Sequence, residues 1–173
     1  LPLPLGRTHA ARHLAAALVL QGLFRRYYYA STFSYHHIAV QPDEDCGVAD
    51  PVTLPLLSTE TLDLVAAGSQ HTRVEKIRDL AEVPGAERWL NVCTADRPDG
   101  RNCSTCPKCC RTLYTRELPG MVDRFSAAFD MAAWSRERNR YIVQRILNGP
   151  PPKRLTREML DYAEGIGRPF PFR

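Results

Sequence analysis

The chain has 173 residues, of which 44% are hydrophobic and 24% charged, a composition typical of a soluble globular protein. Its net charge of +4 permits binding to nucleic acid but does not require it. The longest apolar run, Leu14–Leu20, is too short to span a bilayer, and no signal-peptide pattern is visible. We therefore expect a cytoplasmic protein that does not interact with membranes.

The first half of the sequence predicts alternating helices and strands. An alanine- and leucine-rich segment predicts a helix over Thr8–Gln21, and three consecutive tyrosines predict a short strand over residues 25–32. A loop rich in proline and aspartate follows, over residues 40–55. Ser58 is predicted to cap a helix over residues 59–67.

The middle of the chain continues the alternation. Thr72 and Glu75 form a capping box for the next helix, and residues 88–93 resemble a second short strand. Pro107 is suited to the first turn of a helix that extends to Leu118. The order of helix, strand, helix and strand predicts part of an α/β sheet.

The last third of the sequence predicts helices only. Apolar residues recur at helical spacing over residues 123–134 and 135–149, and Thr156 is predicted to cap a helix over residues 157–164. The predicted organisation is an α/β part over residues 1–118 and a helical C-terminal extension over residues 119–173.

Cysteines are concentrated in one segment, residues 91–114, which contains five of the six in the chain. Two-residue gaps between cysteines allow neighbouring thiolates to reach one tetrahedral ion. Cys110 is expected to face the core, whereas Cys46 stands alone in a loop and is interpreted as inert. The predicted ligands of a four-cysteine metal site are Cys93, Cys103, Cys106 and Cys109.

Disulfides and redox motifs account less well for this cysteine pattern. Disulfides are not expected in a chain without an export signal, and a thioredoxin-like motif leaves cysteines unexplained. A ferredoxin-type cluster expects a later cysteine followed by proline, which this sequence lacks. Structural zinc is the preferred interpretation, and an iron–sulfur cluster is its alternative.

The segment "NCSTCPKCCRT", with the upstream Cys93, resembles the C-terminal zinc site of the 7-cyano-7-deazaguanine synthase family. That family belongs to the PP-loop (N-type ATP pyrophosphatase) superfamily. The segment "STETLDLVAAGSQHTRVEKI" is similar to uncharacterised PP-loop relatives, so the resemblance covers about Thr8 to Leu118. It implies an adenine nucleotide alpha-hydrolase-like (Rossmann-like) sheet that carries a zinc knot.

The resemblance also implies chemistry: ATP and Mg²⁺ activate a carboxylate as an acyl adenylate, which a nitrogen nucleophile then attacks. However, the Ser-Gly-Gly-x-Asp-Ser loop that binds ATP in the superfamily is absent from this sequence. We therefore expect the chain to be the C-terminal part of a longer protein, with the loop supplied by a preceding segment or a partner chain. A degenerate relative that does not use ATP is the alternative.

Candidate ligand-binding residues follow from two arguments. Ser31, Thr32 and Ser34 come directly after the predicted tyrosine strand, where ligands bind in open α/β sheets. The resemblance adds Arg73, at the position of a basic residue in a family motif, and Lys76. These five residues are the predicted contacts to substrate or nucleotide, and no catalytic residue is assigned.

Three functions are consistent with these patterns. The first is the zinc-containing part of an ATP-dependent ligase or synthase that acts on a small molecule. The second is a non-catalytic zinc module that contacts nucleic acid or protein, and the third is an iron–sulfur protein of sulfur transfer. A homo-oligomer is compatible with all three. The predicted C-terminal helix is basic, and we interpret its basic side as a solvated face. Contact with an acidic partner such as nucleic acid, as in the second function, is the alternative role of its arginines, Arg136, Arg138, Arg140 and Arg145.

Overall fold

The computed structural model describes residues 4–95, 97–148 and 154–168. The described residues are mostly helical and include one two-stranded parallel sheet, in agreement with the α/β class at its coarsest level. None of the described helices combines the length and apolar character that crossing a membrane requires. The helices and strands, in chain order, are α1 (Leu5–Val19), β1 (Arg26–Ala30), α2 (Asp50–Leu56), β2 (Asp63–Ala67), α3 (Arg73–Asp79), α4 (Ala86–Trp89), α5 (Pro107–Glu117), α6 (Met131–Tyr141) and α7 (Arg154–Gly165).

The chain divides into two compact units. Unit 1 comprises Leu1–Arg73 and unit 2 comprises Val74–Arg173. The boundary predicted from sequence, between residues 118 and 119, lies inside unit 2. The four predicted metal-binding cysteines all belong to unit 2.

Unit 1 is built around the parallel pair of β1 and β2. Arg26 is opposite Asp63 and Ala30 is opposite Ala67, and the first pair is also joined by an ion pair of 3.0 Å. A parallel pair needs a crossover connection, which here contains α2. The apolar side chains buried between these elements are Leu14 and Ala17 of α1, Leu54 of α2, Leu62, and Leu64 of β2.

Unit 2 has the larger core, in which the cysteine segment packs against the C-terminal helices. Asp130 begins α6 because its side chain accepts a hydrogen bond of 2.9 Å from the Ala133 N–H. Glu117, near the end of α5, accepts hydrogen bonds from Trp134 and Arg138 of α6. The buried residues of this core include Val74, Cys109, Cys110, Leu113, Phe125, Phe129, Trp134 and Met159.

The helix predicted over residues 59–67 is wrong, because this segment contains strand β2. Leu62 and Leu64 are both buried at a spacing of two, which is the period of a strand. The Ser58 hydroxyl accepts a hydrogen bond from the Leu64 N–H at 2.9 Å and caps no helix. Pairing with β1 therefore overrides the helical propensity of the segment.

The strand predicted over residues 88–93 is also wrong. Gly85, with a φ of 82°, precedes the short helix α4, and its carbonyl accepts a hydrogen bond of 2.9 Å from the Trp89 N–H. Beyond α4, the N–H groups of Val92 and Cys93 donate to the side chain of Asn102. A side-chain amide therefore takes the place of a neighbouring strand.

The C-terminal helices differ from the prediction in their bounds. Residues 123–134 do not form one helix: a single 3₁₀ turn occupies Val122–Phe125 and α6 starts only after Asp130. The Asp130 N–H donates to the Ser104 hydroxyl at 2.8 Å, which fixes this break in the chain. Helix α6 continues as a π-helical turn to Leu147, and the predicted end at residue 149 lies outside the described residues. Thr156 lies within α7 and does not cap it.

Candidate metal centre

The four predicted cysteines come together at the start of α5. Their sulfur atoms all lie within 4.8 Å of one another, so the group can hold a metal ion. The Cys93 and Cys106 sulfurs are 4.0 Å apart, and those of Cys103 and Cys109 are 3.9 Å apart. These two pairs share no atom and are therefore opposite edges of one tetrahedron.

The size of this tetrahedron agrees with metal coordination. Bonds of about 2.3 Å from a tetrahedral zinc ion to thiolates place two sulfurs about 3.8 Å apart. The observed separations of 3.9 and 4.0 Å differ from this value by a few tenths of an ångström at most. A disulfide requires about 2.05 Å between sulfurs, and all these cysteines are free.

Backbone N–H groups point at the sulfurs, as expected for thiolate ligands. The Ala95 N–H donates to the Cys93 sulfur and the Cys106 N–H donates to the Cys103 sulfur, each at 3.3 Å. Cys106 precedes the first residue of α5, and its sulfur accepts from the Cys109 N–H at 3.5 Å. The N-terminus of α5 thus directs its free N–H groups and its positive end toward the cluster.

The tight turn between Cys103 and Cys106 depends on an uncommon backbone conformation. Ser104 has a φ of 61°, the left-handed region that residues with a Cβ rarely occupy. The Ser104 hydroxyl, which is fully buried, accepts the hydrogen bond from the Asp130 N–H. This contact joins the turn to the start of α6.

The electrostatics of the thiols differ within the cluster. Burial opposes ionisation of Cys103, but hydrogen bonds from the backbone N–H groups of Thr105 and Cys106 lower its pKa to about 6. Burial raises the pKa of Cys109, and the neighbouring Cys106 raises it further. A divalent cation at the centre favours the thiolate form of both, so metal binding and proton release are coupled.

Asn102 is an important residue of the centre that the sequence analysis missed. Its buried side-chain oxygen accepts hydrogen bonds from the N–H groups of Val92 and Cys93, at 2.9 and 3.1 Å. Its amide nitrogen donates to the carbonyls of Leu90 and Ala128, at 2.7 and 3.0 Å. It therefore holds Cys93 beside the other three cysteines. Its only signal in the sequence is its position directly before Cys103.

Cys110 does not belong to the cluster. It is buried in the core of unit 2, and its thiol lies 3.9 Å from the carbonyl oxygen of Ser104. Burial raises the pKa of this thiol to about 12. Cys110 therefore contributes apolar packing behind the four sulfurs.

The predicted ligand-binding residues are only partly brought together. Ser31 and Ser34 are buried, and the Ser31 N–H extends the sheet by donating to the Ala67 carbonyl at 2.9 Å. The Arg73 guanidinium donates to the carbonyl of Thr32 at 3.1 Å, which places it at the end of β1. Lys76 lies one turn later on α3 and is half-buried. A role of these residues in binding substrate or nucleotide stays a prediction.

The interpretation of Cys46 as an isolated cysteine is corrected by the structure. In unit 1 its sulfur lies 3.5 Å from the Nε2 atom of His9, which is also 2.9 Å from the Oδ1 atom of Asp45. We call His9, Asp45 and Cys46 the unit 1 cluster. His9 is separated from Asp45 by 36 positions, so no local motif signals their proximity.

Comparison of the chain with protein-family models, with curated proteins and with solved structures gives no significant match.

Proposed function

We propose that Cys93, Cys103, Cys106 and Cys109 bind one zinc ion with a structural role. The observation that carries this proposal is the pair of opposite sulfur–sulfur edges of 4.0 and 3.9 Å. Sulfur occupies all four tetrahedral positions, so no position is left for water or substrate. Such a closed site stabilises a fold and does not catalyse a reaction.

Zinc is favoured over a multi-iron cluster by the size of the cage. A cluster with several irons distributes its four thiolates over separate metal atoms, which requires a wider cage. Sulfurs within 4.8 Å of one another instead surround a single ion. A mononuclear iron has the same four-sulfur geometry, so only metal analysis separates it from zinc.

Metal analysis with matched variants tests the zinc assignment. We expect a zinc ion with a four-sulfur coordination shell in the purified chain, lost in Cys106→Ser and retained in Cys110→Ala. Cys110 is an adjacent control because it is buried beside the cluster without belonging to it. Iron in place of zinc, or a metal content independent of Cys106, contradicts the assignment.

For the whole protein, the proposal is a PP-loop ATP pyrophosphatase-like enzyme of the adenylating ligase or synthase type, of which this chain is the zinc-containing part. The resemblance over Thr8–Leu118 supports it, as does a parallel strand pair joined by a crossover that contains α2. The contact between Arg73 and Thr32 adds a cation at the carboxyl end of β1, where a nucleotide binds in a Rossmann-like sheet. ATP and Mg²⁺ enter with the Ser-Gly-Gly-x-Asp-Ser loop of the longer protein or partner chain.

Pyrophosphate exchange in the full-length protein tests the enzyme proposal. We expect ATP–pyrophosphate exchange that depends on a small carboxylate substrate, reduced by Arg73→Ala and partly restored by Arg73→Lys. Arg25→Ala is the control, since Arg25 is an exposed arginine just before β1. An upstream coding sequence without the Ser-Gly-Gly-x-Asp-Ser loop, together with no exchange, contradicts the proposal.

A second candidate function, contact with single-stranded nucleic acid, is favoured by the surface around Trp89. This side chain is 74% exposed, and the Arg88 guanidinium lies 4.9 Å from its ring centre. A cavity of about 360 Å³ beside it is lined by residues that include Arg88, Trp89 and Arg101. An exposed aromatic ring with flanking arginines is suited to base stacking. Helix α6 contributes less positive charge to nucleic-acid binding, because Arg138 pairs with Glu117 and Arg140 pairs with Glu137.

RNA binding at several salt concentrations tests the second candidate. We expect a short single-stranded RNA to bind less tightly as salt increases, and Trp89→Ala to weaken binding more than Trp134→Phe does. Trp134 is the matched control because it is buried in the core. Equal affinity of wild type and Trp89→Ala contradicts the assignment of this surface.

A further inference from the structure

The unit 1 cluster combines three different donor atoms at one point. An imidazole nitrogen of α1 meets a carboxylate oxygen and a thiol from the segment before α2. The donor atoms of His9, Asp45 and Cys46 all lie within 4.8 Å of one another. We propose that this cluster is a second metal site, which binds zinc or a similar divalent transition-metal ion and leaves one coordination position open.

The orientation of His9 supports metal binding. Its Nε2 atom faces the cluster while its Nδ1 atom lies 2.7 Å from the hydroxyl of Tyr29 on β1. The two rings are nearly parallel, with 8° between their planes. A metal-binding histidine holds its second ring nitrogen in this way, because the outer hydrogen bond fixes both the ring and its tautomer.

The spacing of the donors agrees with one small ion. Bonds of about 2.3 Å to sulfur and about 2.0 Å to nitrogen place these two atoms about 3.5 Å apart around a tetrahedral zinc ion. The Cys46 sulfur and the His9 Nε2 atom are 3.5 Å apart in the structure. The separation of 2.9 Å between His9 and Asp45 is a hydrogen-bond distance, so this pair must open by a few tenths of an ångström.

Asp50, at the start of α2, is an independent indication of a cation. Its side chain is only 1% exposed, and neither carboxylate oxygen has a hydrogen-bond partner among the described residues. A buried carboxylate without a partner is unfavourable unless a positive charge compensates for it. A divalent ion bound by the neighbouring cluster supplies that charge.

Gly47 connects Asp50 to the cluster. A Cβ atom at this position would lie 3.0 Å from the Asp45 Oδ1 atom and 3.5 Å from the Asp50 Oδ2 atom. Both carboxylates therefore approach the same glycine, which has no side chain to exclude them. The Gly47 N–H also donates to Asp45 Oδ1 at 2.9 Å and fixes its orientation.

A cavity of about 420 Å³ adjoins the cluster in unit 1. Asp45, Cys46 and Asp50 line it together with Arg7 and Gln41. Three protein ligands with a fourth position left for water or substrate are typical of catalytic zinc sites, in contrast to closed structural ones. The cavity has room for a small polar ligand on the metal. This site is separate from the four-cysteine cluster and does not depend on the function proposed above.

Metal stoichiometry of the chain tests the proposal. We expect the zinc-reconstituted wild type to bind two equivalents of zinc, one for each cluster. His9→Gln and Cys46→Ser are each expected to bind one equivalent fewer. His13→Gln is the matched control, because His13 is exposed on the same helix and touches the Tyr29 ring without belonging to the cluster. Cys106→Ser must retain an equivalent that depends on His9, which separates this test from that of the four-cysteine site.

X-ray absorption spectroscopy of zinc bound to the wild type identifies the ligand atoms without relying on a variant that must fold. We expect imidazole scattering in addition to sulfur, since His9 is the only histidine of either cluster. Zinc is also expected to protect Cys46 from alkylation by iodoacetamide. A single zinc equivalent with a sulfur-only shell overturns the proposal. Alkylation of Cys46 at the same rate with and without zinc also overturns it.

Discussion

The two clusters of metal-ligating side chains are encoded in opposite ways. In unit 2 the four cysteines lie within residues 93–109, and their spacing alone indicates a common ion. In unit 1, His9 reaches Asp45 and Cys46 only after α1 has packed against the chain that follows β1. The first cluster is a local motif that the fold completes, and the second is a product of the fold.

The clusters also differ in what a bound ion can do. The group in unit 2 offers four sulfurs, enough to complete a tetrahedral shell, whereas the mixed group in unit 1 offers three donors beside a cavity. A closed shell stabilises, and an open one can bind a ligand. The two groups that can hold a metal ion therefore belong to separate units of the chain.

Removing the ion proposed for unit 2 is expected to have the greatest consequence for the fold. Cys106→Ser, or chelation of the metal, is expected to unfold the region from Trp89 to Tyr114, because a structural zinc site contributes about 10 kcal/mol of folding free energy. Thermal denaturation and circular dichroism measure this loss. Cys110→Ala is the control and is expected to cost about 2 kcal/mol while zinc is retained. Unchanged melting of metal-free protein contradicts a structural role.

A second substitution tests how much of the centre depends on a residue other than cysteine. Asn102→Ala is expected to lower the free energy of unfolding by about 3 kcal/mol, because the buried N–H groups and carbonyls that it joins lose their partner. The control is Asn148→Ala, an exposed asparagine outside the cysteine segment, with an expected change within about 0.5 kcal/mol. Chemical denaturation of both variants with zinc bound measures the difference. Equal values for the two asparagines show that the cysteines alone hold the loop.

A smaller change, in zinc affinity, distinguishes a metal site in unit 1 from a histidine that is only hydrogen-bonded. Tyr29→Phe removes the hydroxyl next to His9 Nδ1 and is expected to weaken zinc binding to unit 1 about tenfold. Competition with a chelator measures the affinity of the zinc equivalent that His9→Gln abolishes, in a chain that keeps all four cysteines of unit 2. Tyr28→Phe on the same strand is the control because Tyr28 is 62% exposed. If both substitutions leave the affinity unchanged, Tyr29 does not support the site.

The smallest expected change is in the pH dependence of stability that Asp50 causes in metal-free protein. Burial raises the pKa of this carboxyl, and the nearby Asp45 raises it further although His9 opposes the shift. The folded state therefore holds the proton more tightly than the unfolded chain, whose pKa is about 3.9, and stability is lost as pH rises from there toward the raised value.

Asp50→Asn is accordingly expected to raise the melting temperature at pH 7 and to have no such effect at about pH 3.5, with the metal removed by chelation. Glu60→Gln is the control because Glu60 is an exposed carboxylate of the same unit. With zinc present the sign is expected to reverse, since Asp50 then compensates part of the charge of the ion. A melting temperature that falls in metal-free Asp50→Asn at pH 7 shows that the carboxylate is stabilised by other groups.

Features that depend on neighbouring residues could be predicted from the sequence. The spacing of the four cysteines, the helix that starts at Pro107 and the helix that starts after Thr72 are set within a few positions of the chain. The structure has helices at both places, α5 and α3, and it brings the four sulfurs together. Local geometry and helix propensity are sufficient for such features.

Features that depend on distant partners required the folded chain. Residues 63–67 form a strand because β1 lies beside them, and residues 90–93 are held by the side chain of Asn102 in place of a strand. His9 and Cys46 meet because α1 packs against a segment far along the chain. The free energy of these contacts exceeds the small local preferences of each segment, and so their outcome cannot be derived from any short stretch of sequence.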